Sequence, residues 1–381
     1  MLDIYKYLPE DNIINWELIE KTILSPFVDS LKKTNQEYDY HQEGNVYIHT
    51  KMVCEELIKL TEYQNLDKEQ KIELFLACLF HDIGKTVTTK IEDGKIISPH
   101  HGLTGSLIVR DYLYKNYNFG GDTNLQRIRE TICLLIKYHS FPLYIYDDDK
   151  KIIKLSLNQE LVNDFNIKML CILSKADILG RIGPDKDINI DKIEYCILKA
   201  KELNCYETLF KFSNNYTKIK YLNSDNIWYH QELYDDTNVE VILISGLPGT
   251  GKDTYIKNHF SSLPMISLDD LREELNIDPK DEQGTIYNIA KEKAKEYLRN
   301  KQPFVWNATN LTNLIRQKQI KLFHDYHARV HIIYLETSYE EVLLRNSNRS
   351  RVVPESVINK MLRNLNIPEN DEAEKVEWII V

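Results

Sequence analysis

The chain has 381 residues, 43% of them hydrophobic and 28% charged, with a formal net charge of −10. This composition excludes a disordered or fibrous protein, and the length predicts two domains, each with its own core. The negative charge excludes a protein that coats nucleic acid through a broad basic surface, although not one that grips only an end.

Targeting signals and cysteine chemistry also narrow the class of protein. The densest apolar run, Leu74 to Phe80, is far shorter than the roughly 20 residues of a membrane helix. The first residues, Met1 to Tyr5, lack the basic region and apolar core of a secretory signal. Six scattered cysteines without a C-x-x-C pair predict reduced, mostly buried thiols. We therefore expect a cytoplasmic protein without a membrane partner.

The first half of the chain is predicted to be helical. From residue 10 to about 215, apolar residues recur mostly at helical spacing, as in residues 51–60 and 71–80. Residues 214–238 are rich in Asn, Asp and Tyr and lack periodicity, which is typical of a connection. We therefore assign residues 1–215 to an all-α domain and residues 216–238 to a linker.

The second half changes to short β-branched runs that alternate with helical segments, the pattern of an α/β domain with a parallel sheet. The predicted strands are Val239–Ser245, Met265–Leu268, Pro303–Asn307, Arg329–Leu335 and Val376–Val381, and the predicted helices include Gln283–Asn300 and Leu314–His324. Residues 239–381 form the second predicted domain.

A phosphate-binding loop follows the first of these strands. It consists of Gly246, Leu247, Pro248, Gly249, Thr250, Gly251 and Lys252. The glycines let backbone N–H groups surround phosphates, the next helix offers its positive end, and the lysine reaches the outer phosphates. The loop predicts binding of ATP or another nucleoside triphosphate, with Mg²⁺.

Charged residues after the second strand are candidates for the acceptor site, because ligands bind at the carboxyl edge of a parallel sheet. Asp269 is placed to accept a hydroxyl proton, and Arg272, one helical turn later, to hold an anionic part of the acceptor. An acidic helix N-terminus favoured by the helix dipole is the alternative. Further along, Arg345 and Arg349 are spaced to share one helical face, either as a lid over the phosphates or as solvated surface charges.

The order of these motifs resembles the kinase domain of phage-type 5′-hydroxyl polynucleotide kinases over residues 239–381. The shared phrases are the loop, D-D-x-R, A-T-N-L at 308–311, R-N-S-x-R and V-V-P. The resemblance implies that Lys252 contacts ATP phosphates, that Asp269 is the general base, and that Arg345 and Arg349 are lid arginines. It also implies that Arg272 clamps the phosphate next to the terminal nucleoside.

One position departs from this pattern. The usual Ser or Thr after the lysine is replaced by Asp253, with Thr254 one residue later. A carboxylate is a suitable ligand for a hard cation, so Asp253 is the candidate Mg²⁺ ligand, directly or through water. Thr254 or water is the alternative.

A second set of residues indicates metal chemistry in the helical half. The set comprises His49, His81, Asp82, His101, His139 and Asp177. The sequence around these residues resembles the HD superfamily of metal-dependent phosphohydrolases, especially the helical HD modules of tRNA nucleotidyltransferases. The resemblance implies that His49, His81, Asp82 and Asp177 bind a divalent transition metal, whereas His101 and His139 bind a second metal or touch the phosphate. Mixed imidazole and carboxylate ligands suit Mn²⁺, Ni²⁺, Co²⁺, Fe²⁺ or Zn²⁺, and Lys85 is a candidate phosphate anchor.

The two halves together resemble bifunctional HD-domain polynucleotide kinases, which heal nucleic-acid ends. This resemblance implies removal of a 2′,3′-cyclic, 2′- or 3′-phosphate by the first domain and phosphorylation of 5′-hydroxyl RNA or DNA ends by the second. A polynucleotide ligase acting downstream is an expected partner. The alternatives are an HD nucleotidase fused to a small-molecule kinase for nucleosides or nucleotides, and a regulatory ATP switch with a degenerate HD module.

Overall fold

The computed structural model describes residues 4–145, 148–162, 164–277, 283–349 and 351–381. The chain folds into two compact units. The first unit comprises Met1–Phe119 and Asn124–Phe210, and the second comprises Gly120–Thr123 and Lys211–Val381. In the described part of the chain, no helix combines the length and apolar character needed to cross a membrane. All six cysteines are buried thiols that form no disulfide bond, as predicted.

The first unit is built from short and medium helices. Its helices are α1 (Trp16–Lys21), α2 (Val28–Lys33), α3 (Val46–Leu57), α4 (Thr61–Gln64), α5 (Lys68–Phe80), α6 (Lys85–Thr88), α7 (His101–Asn116), α8 (Thr123–Tyr138), α9 (Asp149–Ser156), α10 (Ile167–Leu179) and α11 (Lys186–Glu202). Three 3₁₀ helices, Ile4–Tyr7, Phe141–Tyr144 and Leu157–Glu160, lie among them. One antiparallel hairpin, β1 (Lys90–Glu92) and β2 (Lys95–Ile97), departs from the all-α prediction.

The centre of this unit is formed by three helices that pack against one another, α3, α5 and α10. Residues 72–80 of α5 are all buried, which explains why this stretch, apart from Glu73, is apolar and not amphipathic. Close packing depends on glycines. A Cβ atom on Gly180, which follows α10, would lie 2.5 Å from the Cα atom of Val53 in α3.

The second unit contains a five-stranded parallel sheet. Its elements are α12 (Asn215–Asn223), β3 (Val239–Ser245), α13 (Lys252–His259), β4 (Met265–Ser267), α14 (Leu268–Glu274), α15 (Gln283–Arg299), β5 (Phe304–Asn307), α16 (Asn313–His324), β6 (Ala328–Glu336), α17 (Tyr339–Ser347), α18 (Glu355–Arg363) and β7 (Lys375–Ile380). The strand order is β4-β5-β3-β6-β7, and each pair is parallel. The five predicted strands match these to within one residue at each end. Nearly continuous burial of β3 and β6 explains their apolar runs.

The predicted linker, residues 216–238, is a structured part of the second unit. Within it, α12 buries Tyr216, Ile219 and Tyr221. The Lys218 ammonium is also buried and donates hydrogen bonds to the backbone carbonyls of Asn370 and Glu374, at 3.0 and 3.3 Å. Contacts with residues far along the chain hold this segment, and local periodicity does not reveal them.

Candidate metal centre and nucleotide site

The first unit brings all six predicted metal-binding residues together in its interior. His49 lies on α3, His81 and Asp82 directly follow α5, His101 begins α7, His139 directly follows α8, and Asp177 lies on α10. The Nε2 atoms of His49 and His81 are 3.3 Å apart, and those of His101 and His139 are 3.2 Å apart. Two nitrogen ligands about 2.05 Å from a tetrahedral ion lie about 3.3 Å apart, so both pairs have the spacing of metal ligands.

Asp82 lies between the two histidine pairs. Its Oδ2 is 3.5 Å from His49 Nε2 and 3.4 Å from His81 Nε2. Its Oδ1 is 3.4 Å from His101 Nε2 and 3.9 Å from His139 Nε2. Asp177 Oδ1 completes the first group, 3.0 Å from His49 Nε2. The carboxylate of Asp82 therefore belongs to two neighbouring groups of side chains, each of which could hold a metal ion.

Local structure fixes the orientation of three of the imidazoles. Each Nδ1 lies within hydrogen-bond distance of the carbonyl oxygen three residues earlier: His81 with Cys78 at 2.7 Å, His101 with Ser98 at 2.9 Å and His139 with Ile136 at 2.7 Å. A carbonyl only accepts hydrogen bonds, so Nδ1 must carry the proton and Nε2 presents its lone pair to the centre. Two of these carbonyls lie at helix C-termini, where they lack a partner within the helix.

The sequence did not reveal the support of His49. Its Nδ1 is 3.0 Å from Glu43 Oε1, which also lies 2.8 Å from His41 Nδ1, while Glu43 Oε2 accepts the backbone N–H of Ile182. Burial raises the pKa of the Glu43 carboxyl, but these hydrogen bonds outweigh it and hold the pKa well below its usual range. Glu43 precedes α3 without any recognisable motif, so only the packing identifies it.

The pKa values of the centre favour ionised carboxylates and a neutral His139, the forms that bind a metal ion. Burial raises the pKa of Asp82, but Lys85 and His81 outweigh it and hold the pKa well below the usual range. Burial lowers the pKa of His139 to about 3, and the neighbouring rings add to the effect. Burial also opposes protonation of His49, but Asp177 and Glu43 raise its pKa to about 9. A divalent ion would replace that proton as the partner of these carboxylates.

Lys85, the predicted phosphate anchor, lies beside the centre. Its Nζ is 2.7 Å from Asp82 Oδ2 and donates to Gln36 Oε1 at 2.7 Å. A cavity of about 370 Å³ opens next to it, lined by Tyr40, His101, Tyr144 and Arg181 among others. Cations and exposed tyrosines beside a metal centre form a suitable cleft for a phosphorylated substrate.

The second unit places the phosphate-binding loop as predicted, between β3 and α13. Gly246, Gly249 and Gly251 have φ angles of 149°, 86° and 77°, which only glycine adopts readily. Lys252 Nζ donates to the carbonyls of Gly246 and Leu247 at 3.1 and 2.8 Å. Burial lowers the Lys252 pKa to about 8, against the attraction of Asp253 and Asp269. Triphosphate bound here would favour the charged form.

The residues predicted for the acceptor site and the lid lie near this loop. The Asp269 carboxylate is exposed and accepts a hydrogen bond from Arg272 Nη1.

Of the two predicted lid arginines, Arg345 donates a hydrogen bond from Nε to Glu341. Its Nη1 lies 3.3 Å from the position that a Cβ atom on Gly251 would take. Helix α17 ends at Ser347, so Arg349 lies in the following loop and does not share a helical face with Arg345 as predicted. The Asn346 side chain closes that loop through both of its hydrogen bonds to the Val353 backbone.

Two asparagines near the loop were not predicted as site residues. Asn310, in the A-T-N-L phrase, donates to the Ile244 carbonyl at 2.7 Å and thus braces the strand that leads into the loop. Asn307, at the end of β5, donates to Asp253 Oδ1 at 2.7 Å. Thr254 is exposed on the next position of α13.

Comparison with known proteins supports this description of the two units. Similar solved structures include a provisionally assigned kinase of Chloroflexus aurantiacus J-10-fl, with 16% identity, 38% of this chain and 89% of the other covered, and a TM-score of 0.33. A gluconokinase from Sinorhizobium meliloti 1021 has 18% identity, coverage of 38% and 84%, and a TM-score of 0.29. The HD domain family matches residues 46–181, and an AAA domain family matches residues 241–368. The chain therefore contains a helical unit that matches the HD domain family and an α/β unit, with a phosphate-binding loop, that matches an AAA domain family. This confirms the predicted fold class.

Proposed function

We propose that this protein heals nucleic-acid ends with two separate active sites. In this proposal the HD domain removes a 2′,3′-cyclic, 2′- or 3′-phosphate, and the kinase domain phosphorylates a 5′-hydroxyl with MgATP. The proposal rests on the Asp269–Arg272 pair at the carboxyl edge of the sheet. It places a proton acceptor beside a guanidinium, which suits a hydroxyl whose nucleoside also carries a phosphate.

In the HD domain, the six residues of the candidate metal centre would hold one or two divalent ions. Such ions would supply Lewis acidity and an activated water for attack on phosphorus. The protein orients the imidazoles through the carbonyls of Cys78, Ser98 and Ile136. Lys85 and Arg181, beside the cavity, neutralise the phosphate of the substrate.

In the kinase domain, the loop N–H groups and Lys252 hold the outer phosphates. Asp269 accepts the proton of the attacking hydroxyl, and Arg272 holds the adjacent phosphate of the acceptor. Arg345 and Arg349 neutralise charge on the transferring group. Each of these roles belongs to a side chain near the loop, with Mg²⁺ completing the charge balance.

The test is a single incubation of the full-length protein with a 5′-hydroxyl RNA that ends in a 2′,3′-cyclic phosphate, with ATP, Mg²⁺ and Mn²⁺. We expect a 5′-phosphate gained and the cyclic phosphate lost. A nucleoside 3′-monophosphate should be a better acceptor than the plain nucleoside by about ten- to a hundredfold, from a contact of roughly 1.5–3 kcal/mol. Arg272→Ala should abolish this preference, whereas Arg299→Ala, an exposed control, should keep it.

A small-molecule kinase joined to an HD nucleotidase is the second candidate. It is favoured by the net charge of −10 and by Asp253, Asp269 and Asp270, which surround the loop with carboxylates that repel a polyanion. Phosphorylation of the nucleoside and its 3′-monophosphate at equal rates, with no reaction at either end of the RNA, would support this candidate. The same result would reject end healing.

A further inference from the structure

The position of Asn307 relates it directly to the phosphate-binding loop. It is the last residue of β5, the strand that pairs with β3, and β3 leads into the loop. The carboxyl ends of parallel strands meet at one edge, so Asn307 lies beside the start of α13. Its side chain is buried, with a relative exposure of 6%. A buried side-chain amide is costly without hydrogen-bond partners, so its contacts indicate its role.

The contacts of Asn307 point to Asp253. Its Nδ2 donates to Asp253 Oδ1 at 2.7 Å, which leaves Asp253 Oδ2 for another partner. The Oδ1 atom of Asn307 is buried and has no hydrogen-bond partner among the residues that the structure describes. Buried acceptors are normally satisfied, so an ordered water or a group of the ligand is the expected donor to this oxygen. Asp253 and Thr254, the alternative metal ligand, are both exposed, so the contact with Asn307 is what distinguishes Asp253.

The charges of the two residues are informative. P-loop enzymes usually hold Mg²⁺ with a neutral hydroxyl directly after the lysine and a carboxylate on a neighbouring strand. Here the carboxylate is Asp253, directly after Lys252. The neutral side chain is Asn307, at the end of the neighbouring strand β5. The pair carries a single negative charge in both arrangements. A carboxylate at position 307 would place two anions within hydrogen-bond distance, which is unfavourable.

We propose that Asp253 and Asn307 form an exchanged Mg²⁺-binding pair, with Asp253 as the carboxylate ligand and Asn307 as its positioning residue. The inference rests on the proposed use of MgATP and is independent of the acceptor. It predicts that each residue is suited only to its present partner. Asp253→Ser alone or Asn307→Asp alone should therefore weaken Mg²⁺-dependent ATP binding. The two changes together should restore it.

The test is a double-mutant cycle in the full-length protein, read as ATP affinity by calorimetry with Mg²⁺ and with EDTA. We expect Asp253→Ser and Asn307→Asp each to weaken Mg²⁺-dependent ATP binding by about 10–100-fold. The double variant should return to within about threefold of the unchanged protein, which follows from the restored single charge. Asn300→Asp, an exposed change before β5 begins, should have no effect.

A second cycle, with Asp253→Asn and Asn307→Asp, keeps side-chain shape and serves if the serine variant fails to fold. Rescue in either double variant supports the exchanged pair. If both double variants bind MgATP as weakly as the sum of their single changes predicts, the pair is overturned. Absence of Mg²⁺-dependent ATP binding in the unchanged protein would reject the proposed kinase function as well. Normal Mg²⁺-dependent ATP binding without phosphorylation of RNA would reject only the nucleic-acid 5′-hydroxyl as the phosphate acceptor.

Discussion

The two sites are built in opposite ways. The proposed nucleotide site is a run of consecutive residues, Gly246 to Lys252, whose backbone N–H groups would bind the phosphates, and Lys252 is half-buried. The metal centre draws six side chains from α3, α7, α10 and the ends of α5 and α8, and His49, His81, Asp82 and His139 are at most 2% exposed. A contiguous loop needs only local geometry, whereas the metal centre exists only when several helices pack correctly. The metal centre should therefore be more sensitive to distant packing changes.

The sharpest separation of the two sites comes from removing one key residue in each. His81→Ala should lose metal and phosphoesterase activity by more than about a hundredfold, since even outer partners of ligands contribute about 10–100-fold, but should keep kinase activity. Lys252→Ala should do the reverse. Metal analysis and assays of both activities measure this. His100→Asn and Lys257→Ala, exposed neighbours, are the controls, and loss of both activities in one folded variant would contradict separate sites.

Packing near the metal centre is tested by Gly84→Ala. A Cβ at Gly84 would lie 2.0 Å from the backbone oxygen of His101, so α7 must move and take a ligand with it. We expect a loss of about 3 kcal/mol or more of unfolding free energy, beyond ordinary overpacking, and reduced metal content. Gly284→Ala, where a Cβ meets nothing within 4 Å, should be neutral or slightly stabilising. Thermal unfolding with unchanged stability for Gly84→Ala would reject the close approach.

The support of a ligand is expected to matter less than the ligand itself. Glu43→Gln removes the negative charge beside His49 Nδ1 and should weaken metal affinity by about 10–100-fold while leaving ATP binding unchanged. Competition with a chelator measures the affinity. Glu17→Gln, on an exposed ion pair, serves as the control. Identical metal affinity in the two variants would show that Glu43 has no role in positioning His49.

The smallest effect concerns a buried carboxyl outside the metal centre. Burial, together with Asp164, raises the pKa of Glu73 well above its usual value, in contrast to Asp82, whose basic neighbours lower it. Stability is therefore lost as the pH rises above the unfolded pKa, about 4.3, towards the folded pKa. Glu73→Gln should remove this loss.

Urea unfolding at pH 5 and pH 8 measures the effect. The gain from Glu73→Gln should be larger at pH 8, by up to about 1.4 kcal/mol per unit of pKa difference traversed between the two pH values. The exposed change Glu55→Gln should show no such dependence. An equal gain at both pH values would mean that Glu73 is ionised in the folded protein without a penalty.

The sequence by itself determined the strands of the sheet, the phosphate-binding loop and the six residues that the structure brings together in the candidate metal centre. These features depend on local patterns, namely buried parallel strands, glycines with positive φ and recognisable His-Asp phrases. Tertiary structure alone decided the position of Asp82 between the two histidine pairs, the support of His49 by Glu43 and the pairing of Asn307 with Asp253. It also showed that α12 belongs to the second unit and that Arg349 lies beyond α17. These contacts join residues distant in the chain, so their partners are fixed by helix and strand packing, which local spacing does not encode.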